Sequence, residues 1–353
     1  MCCGSLAVGS ITRGDQSLTN GHHARMSVLV TGGAGFLGAH LVRALVERGK
    51  DVVVLDDLSG GVAENVPAGV PLVVGDICDP AVVERVFSEH RVDVVFHLAA
   101  YAAEGLSHFI RRYNYTNNVV GSVTLINEAI RRKVRRFVFT SSIAVYGTGE
   151  LPLKETHVAR PEDPYGIAKL AVEQDLSAAF HQFGLPYTIF RPHNLYGPYQ
   201  SMRDRYRNVV GIFLNQAMVG APLSVFGDGL QTRAFTYVGD VVGKMAESAW
   251  SERARNQVLN VGGDQTYSIL DLARTVVAVT GKDLPIRHLP ARNEVVHAHS
   301  DHTRFREVLG EFKETGLLQG LARTWTWAEK IGPTETPRFA AIELEEGLPP
   351  SWR

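Results

Sequence analysis

Between the apolar run Val28-Leu29-Val30 and a helix-period segment from Phe36 to Arg48 stands the turn Thr31-Gly32-Gly33-Ala34-Gly35-Phe36-Leu37-Gly38, with glycines at 32, 35 and 38. No other feature of the chain restricts the fold as much. Glycine permits a tight turn and leaves backbone N–H groups bare, and the helix that follows directs favourable partial positive charge at the same place. Leu37, Leu41, Leu45 and Val46 fall on one face at helical spacing.

The strand and helix pattern recurs along the chain. Val52-Val53-Val54-Leu55, Leu72-Val73-Val74, Val94-Val95-Phe96, Phe137-Val138-Phe139 and Tyr187-Thr188-Ile189-Phe190 are continuous apolar runs rather than alternating ones. Continuous runs mark strands buried on both faces. Helical stretches separate them: Ala81 to Glu89, roughly Ser107 to Arg132, and Glu162 to Phe183. This order predicts an α/β fold, a doubly wound parallel sheet with right-handed crossovers. After Arg191 the pattern loosens through a loop rich in Gly, Pro, Arg and Tyr, then returns to the sheet near Val258-Leu259-Asn260-Val261. The expected organisation is a disordered extension over 1–25 and a Rossmann-type domain over 26–190 with a return near 234–262. A smaller, interleaved lobe over 191–233 and 263–345 completes it.

Composition narrows the class. With 353 residues, 45% of them hydrophobic, the chain is long enough to bury a large core. A formal charge of -1 gives no basic footprint for nucleic acid. No apolar run approaches the roughly 20 residues of a membrane span. Residues 1–25 do not resemble a signal peptide, and His22-His23 read as tail rather than as metal ligands. Cys2, Cys3 and Cys78 are too few for a disulfide framework, which fits a reducing cytoplasm. No metal site is expected.

The glycine turn, set between strand and helix, reads as a site for a dinucleotide pyrophosphate rather than as an incidental tight turn. About twenty residues on, the second strand ends in Asp56-Asp57. A carboxylate there accepts hydrogen bonds from the adenosine ribose hydroxyls and repels a 2'-phosphate, so NAD is favoured over NADP. Asp56 is the chosen acid; the alternatives are that it caps a loop and that Asp57 is simply solvated.

Tyr165 and Lys169 stand one helical turn apart after Pro164. A phenol holds its proton to about pH 10, and a nearby ammonium and an oxidised nicotinamide both favour the phenolate, which makes Tyr165 a usable base. Upstream, Phe137-Val138-Phe139 runs into Thr140-Ser141-Ser142, hydroxyls at the carboxyl edge of a sheet where such folds bind ligands. Ser142 is placed to hold a substrate hydroxyl and pass its proton to Tyr165.

In this order the motifs resemble those of the extended short-chain dehydrogenase/reductase family, most closely its nucleotide-sugar 4-epimerase branch, from about Met26 to Lys330. The likeness rests on Thr31-Gly32-x-x-Gly35-x-x-Gly38, His97-Leu98-Ala99-Ala100, Ser141-Ser142-x-x-x-Tyr146-Gly147 and Tyr165-x-x-x-Lys169. It implies that Ser142, Tyr165 and Lys169 carry the chemistry. It also implies that Gly32, Gly35, Phe36, Leu37, Gly38, Asp56, Asp57, Asp76, Ile77, Leu98, Ala99, Ala100 and Asn118 line a tightly held NAD, together with Tyr165 and Lys169. Ser142, Tyr165, Asn194, Asn208, Val225, Phe226, Arg233 and Arg292 would meet a UDP-sugar, with Phe226 stacked on the base and the arginines on the pyrophosphate. A homodimer is the expected assembly.

Family members that do more than redox chemistry at one carbon carry an acid or a thiol after the serine strand. Here the segment is Ser142-Ile143-Ala144-Val145. The reading is therefore a UDP-hexose 4-epimerase, with UDP-glucose and UDP-galactose first and UDP-glucuronate second. N-acetylhexosamines come third, on the small Ala298. A net dehydrogenase and a non-catalytic NAD sensor are the rivals, and the Tyr165–Lys169 pair speaks against the sensor. Departures from the simple epimerase pattern are Pro192, His193 and Ala102, and the cluster Arg203, Arg205 and Arg207 is either a carboxylate site or a solvated face.

Overall fold

Successive side chains of the central strands face two different helical layers, and this alternation organises the molecule. The computed structural model describes residues 26–206, 208–291, 295–335, 338–340, 342–349 and 352. Expectations for residues 1–25, Arg207 and Arg292 lie outside the described residues.

Seven parallel strands form one sheet: β1 (Ser27–Thr31), β2 (Val52–Asp56), β3 (Leu72–Val74), β4 (Val92–His97), β5 (Arg136–Thr140), β6 (Tyr187–Pro192) and β11 (Gln257–Val261). Their order across the sheet is β11-β6-β5-β4-β1-β2-β3. Val28, Val30, Val54, Phe96, Val138 and Phe190 pack toward α1 (Phe36–Glu47), α8 (Val238–Glu247) and α10 (Thr303–Leu309). Their neighbours Leu29, Val53, Val95, Phe137 and Ile189 pack toward α2 (Pro80–His90), α5 (Gly121–Arg131) and α6 (Pro164–Phe183). Burying such a side chain stabilises by roughly 1.5–3 kcal/mol, so a one-residue slip that reversed the two sets is strongly disfavoured. Both faces being covered explains the continuous apolar runs of the other strands, whereas Leu72-Val73-Val74, expected to be buried on both faces, forms the edge strand β3 and leaves Val74 exposed.

Helix starts follow capping chemistry. Asp79 and Asp163 accept backbone N–H groups of Ala81 and Gly166, each one residue before a proline that opens its helix. Gly184, at φ 75°, ends α6 in the left-handed region. The stretch expected as one helix from Ser107 to Arg132 is instead divided into α3 (Glu104–Ser107), α4 (Arg111–Tyr115), a π-helical turn at Thr116–Val120, and α5.

The return near Val258 is β11, which pairs in parallel with β6 from Gln257↔Thr188 to Val261↔Pro192. The elements on either side of it make a second core. It comprises β7 (Leu195–Tyr196) with β10 (Thr236–Tyr237), β8 (Leu223–Phe226) with β13 (Ile286–Leu289), and β9 (Thr232–Ala234) between β12 (Thr266–Ser268) and β14 (His297–Ala298). Around them lie α7 (Val209–Met218), α9 (Ile269–Thr280) and α11 (Leu317–Ile331), joined through Phe213, Val225, Leu272 and Leu321. Beyond α11 the chain lies against the loop after β4: Phe339, Leu348 and Trp352 pack with Tyr101, Leu106, Ile110 and Tyr206. Aromatic pairs of this kind contribute about 0.5–1.5 kcal/mol each beyond area burial. Among the described residues, no helix is long and apolar enough to cross a membrane.

Candidate active site

The carboxyl edge of the sheet gathers most of the residues singled out from sequence. At the end of β1, Gly32 has φ 70°, and a Cβ there would lie 2.7 Å from the Ala99 backbone nitrogen. A Cβ on Gly38 would stand 2.1 Å from the Gly32 carbonyl oxygen. Both positions therefore require glycine. Gly35 caps α1 without a side chain, and the first turn of α1 carries no acid, so the helix presents its positive end uncapped by any side chain. That cradle fits a dinucleotide pyrophosphate.

Asp56 closes one side of the cradle. Its carboxylate accepts the Ala34 N–H at 2.9 Å and the Leu58 N–H at 2.9 Å, so the acid that ends β2 is fixed against the glycine turn. Burial pushes its pKa up, and these two backbone donors pull it back. Asp57 instead accepts from Ser59, at the surface. Asp76 is exposed and accepts the Cys78 N–H, while Ile77 is buried against Gly121 at the start of α5.

Leu98, Ala99 and Ala100 follow β4 and are held from below by a buried relay. The Ser122 hydroxyl donates to the Asn118 carbonyl, so His97 Nε2–H donates to Ser122 at 2.8 Å. His97 Nδ1 then accepts the Thr31 hydroxyl at 2.8 Å, and Thr31 Oγ1 accepts the Ala99 N–H. A neutral imidazole satisfies every partner. Burial, and then the charge of Lys169, push the His97 pKa down from 6.5 to about 3. Between those limits the unfolded chain binds a proton that the folded chain does not, so this contribution to stability is intact above 6.5 and is lost as pH falls toward 3. Urea midpoints measured across this window are expected to fall less steeply with acidification for His97→Gln than for the wild type. Parallel slopes would reject the assignment.

Asn118, read from sequence as a cofactor-side residue, sits in the π-helical turn and spends its amide on the protein. It accepts the Tyr101 N–H at 3.0 Å and donates to the Tyr101 carbonyl at 3.2 Å. It therefore fixes the shape of the loop after β4. π-Helical turns of this kind recur at functional sites.

The first turns of α6 lie directly on the serine turn. Gly166 faces Ala144, where a Cβ would stand 2.5 Å from the carbonyl oxygen, and Ser142 Oγ accepts the Ala144 N–H at 3.1 Å. Tyr165 is buried, and its backbone N–H donates to Ser107 Oγ at 3.2 Å. Lys169 Nζ donates to the Thr140 carbonyl at 2.8 Å and lies 5.7 Å from the Tyr165 ring centroid. Burial lowers the Lys169 pKa to about 7, and the Glu173 carboxylate opposes that shift.

Glu173 was not singled out from sequence. It accepts Ser141 Oγ at 2.5 Å and forms a two-pronged pair with Arg191, at 2.9 Å to Nε and 2.5 Å to the terminal nitrogen. Burial works against the Arg191 charge, but Glu173 holds the guanidinium firmly protonated. Arg191 also lies 4.7 Å from the centroid of Tyr146, whose hydroxyl donates to Asn260. Tyr165, Lys169 and Glu173 follow each other at four-residue steps, a spacing that could have flagged the third member.

The remaining residues belong to the second core. Asn194 is exposed at φ 36°. Asn208 caps α7 and donates to the Leu195 carbonyl, and Val225 buries its side chain in that core from β8, where it pairs with His288 of β13. Phe226 is half-buried at the end of β8. Arg233 donates to the carbonyls of Thr232, Val295 and Val296. Among the described residues, no group of three or more His, Cys, Asp or Glu side chains is placed to hold a metal ion.

A doubly wound sheet whose glycine turn and acid form a dinucleotide cradle, beside a buried tyrosine–lysine pair, defines an NAD-dependent enzyme of nucleotide-binding type. The model of the NAD dependent epimerase/dehydratase family matches residues 28–262, and the chain belongs to this family. NAD is its cofactor. The chain is similar to the UDP-glucose 4-epimerase of Azospirillum brasilense, 33% identical over 323 residues that cover 87% of this chain and 93% of that one. The UDP-N-acetyl-alpha-D-glucosaminuronate decarboxylase of Bacillus cytotoxicus is 30% identical over 86% of this chain and 98% of its own length. Among solved structures, the UDP-glucose 4-epimerase of Thermotoga maritima with UDP-glucose superposes with a TM-score of 0.82. It is 34% identical and covers 87% of this chain and 99% of that one.

Proposed function

We propose that the protein is a UDP-hexose 4-epimerase that interconverts UDP-glucose and UDP-galactose. One observation carries this reading. The turn after the serine strand, Ile143–Tyr146, is apolar and largely buried, so neither an acid nor a thiol on it stands beside Tyr165 and Lys169. The remaining groups suffice for oxidation and reduction at a single carbon. The names of the relatives support the same substrate class.

Bound NAD supplies the two-electron acceptor and donor for that carbon. Ser142 holds the 4-hydroxyl and relays its proton to Tyr165, which acts as the base and later returns the proton. Lys169, buried beside Tyr165, supplies the positive charge that favours phenolate. The 4-keto sugar turns over in the closed pocket and is reduced on its other face. Asn194, Asn208, Val225, Phe226, Arg233 and Arg292 are the groups we assign to the UDP moiety and sugar, and a homodimer is the assembly we expect.

The UDP-glucuronate pair is the second reading. Arg205 is half-buried in the loop between β7 and α7, which suits a buried carboxylate, whereas Arg203 is exposed. The deciding experiment incubates the purified protein with UDP-glucose, UDP-galactose, UDP-glucuronate and UDP-N-acetylglucosamine, without added NAD, and separates the products. Interconversion at C4 is expected, with UDP-glucose preferred. A requirement for stoichiometric external NAD would overturn the epimerase reading, and a preference for the uronate would promote the second.

Retention of NAD should depend on Asp56. Replacing it with alanine removes the acceptor for the ribose hydroxyls and a charge that repels a 2'-phosphate. The Asp56→Ala protein should release less NAD on denaturation and discriminate less against NADP. Unchanged content and preference would move the assignment to Asp57.

A further inference from the structure

The segment beyond α11 is positioned against both walls of the candidate site. On the cofactor side, the Glu343 carboxylate accepts the backbone N–H groups of Arg112 and Tyr113 at 2.8 Å each. The Glu343 and Leu344 N–H groups in turn donate to the Phe109 carbonyl, at 2.8 and 3.2 Å. This same stretch reaches the catalytic helix directly: Ser107 Oγ accepts the Tyr165 N–H, and Asn114 Nδ2 donates to the Pro164 carbonyl at 2.8 Å. On the side of the loop between β7 and α7, the Phe339 N–H donates to the Tyr206 hydroxyl at 2.9 Å, and the Trp352 ring lies 5.4 Å from the Tyr206 ring. Tyr101 spans the two walls. Its hydroxyl donates to Asp204 at 3.3 Å, and Phe339 packs on its ring at 4.9 Å.

These contacts form one mechanical chain. On the side of the loop after β4 the polar anchors are backbone groups of Phe109, Arg112 and Tyr113, so the segment fixes the path of the chain there, and on the other side its polar anchor is the Tyr206 hydroxyl. Separating the two loops breaks the Tyr101–Asp204 bond and detaches the segment from one of them, at the Glu343 cap on one side or at the Phe339 and Trp352 contacts with Tyr206 on the other. Keeping such loops closed confines a reactive intermediate and completes the catalytic geometry.

We propose that residues 338–340, 342–349 and 352 act as a strap that ties the loop after β4 to the loop between β7 and α7, positions the Tyr165 turn of α6, and retains the 4-keto sugar between its oxidation and its reduction. The retention clause rests on the epimerase reading. In the step concerned, C4 gives a hydride to NAD and its hydroxyl proton to Tyr165. A ketone that escapes therefore leaves one equivalent of reduced cofactor behind in the protein. Glu343 and Phe339 touch no reacting atom; they are positioning residues.

The test compares wild type, a chain ending at Glu335, and the point variants Glu343→Ala and Phe339→Ala. Two quantities are read: amide hydrogen exchange over residues 104–115 in protein stripped of NAD, and the ratio of released ketone, trapped with a carbonyl reagent, to epimerised product. The strap requires faster exchange at Arg112 and Tyr113 in all three variants. It also requires a ketone ratio raised by roughly tenfold, the equivalent of about 1.4 kcal/mol of lost retention. A segment that only adds stability would lower the unfolding midpoint and leave the ketone ratio unchanged, and that result would overturn the proposal. If the truncated chain does not fold, the two point variants decide by the same measurements. A wild type that epimerises none of the UDP-sugars would defeat the functional reading alone; exchange over 104–115 would then judge the tie between the loops separately.

Discussion

Tyr165→Phe is expected to lose at least the ~10²-fold in turnover that follows removal of a general acid-base group, with NAD still bound. The substitution keeps the ring and deletes only the hydroxyl. Tyr165 is buried at the start of α6, where its backbone is held by Ser107 and its ring lies beside the Lys169 ammonium. Those packing interactions survive, so folding and cofactor content should change little. The measurement is kcat with UDP-glucose, alongside the NAD released on denaturation. Near-normal turnover would sink the assigned mechanism. Loss of both turnover and NAD would show that the hydroxyl holds the cofactor instead. Ser142→Ala should be milder, because water can take the place of its hydroxyl.

The second large effect concerns stability. Glu173→Leu should destabilise the fold by about 3–5 kcal/mol, the usual result of leaving one member of a buried ion pair without its partner. Arg191 and Glu173 are both nearly inaccessible, with side-chain exposures of 7% and 6%. Removing the carboxylate strands the guanidinium and frees Ser141. It also withdraws the negative charge that opposes the downward shift of Lys169. The double variant Glu173→Leu with Arg191→Met removes both charges and should recover most of the loss, since an apolar pair can replace a buried ion pair at little cost. Chemical denaturation of the wild type, Glu173→Leu, Arg191→Met and the double variant gives the coupling directly. Additive losses in the double variant would mean that the pair is not a unit.

Much of the sheet was readable before any coordinates, because a strand buried on both faces must be apolar at every position. The runs at 28–30, 52–55 and 137–139 are buried inside β1, β2 and β5, whereas the run at 72–74 forms the edge strand β3, where Leu72 and Val73 are half-buried and Val74 is exposed. The glycine turn was legible for a related reason: the space left at Gly32 and Gly38 admits no side chain. Features that depend on partners distant in sequence were not legible. Periodicity from Ser107 to Arg132 reads as one helix, yet Asn118 sits in a π-turn and bonds the Tyr101 backbone. Arg191 directly follows the apolar run of β6, but its pairing with Glu173 on α6 follows only once β6 and α6 are packed. The contact of Phe339 and Trp352 with Tyr206 has no periodic signature at all, since aromatic residues in a loop resemble any surface loop until the fold supplies a surface.

The place of β11 in the sheet also bears on how the chain must be made. β6 ends at Pro192, and the strand that covers its outer side begins only at Gln257. While the ribosome produces the intervening residues, β6 is an open edge with a row of unpaired backbone groups, the kind of template on which other chains can pair. The α8 segment, whose Val238, Val241 and Met245 fill the α1 side of the core, is likewise absent until late in that interval. The Rossmann-type half therefore cannot close during synthesis as an N-terminal unit ahead of the rest. A nascent chain halted before residue 257 should be a chaperone client and a protease substrate, and one extended beyond Val261 should lose both liabilities.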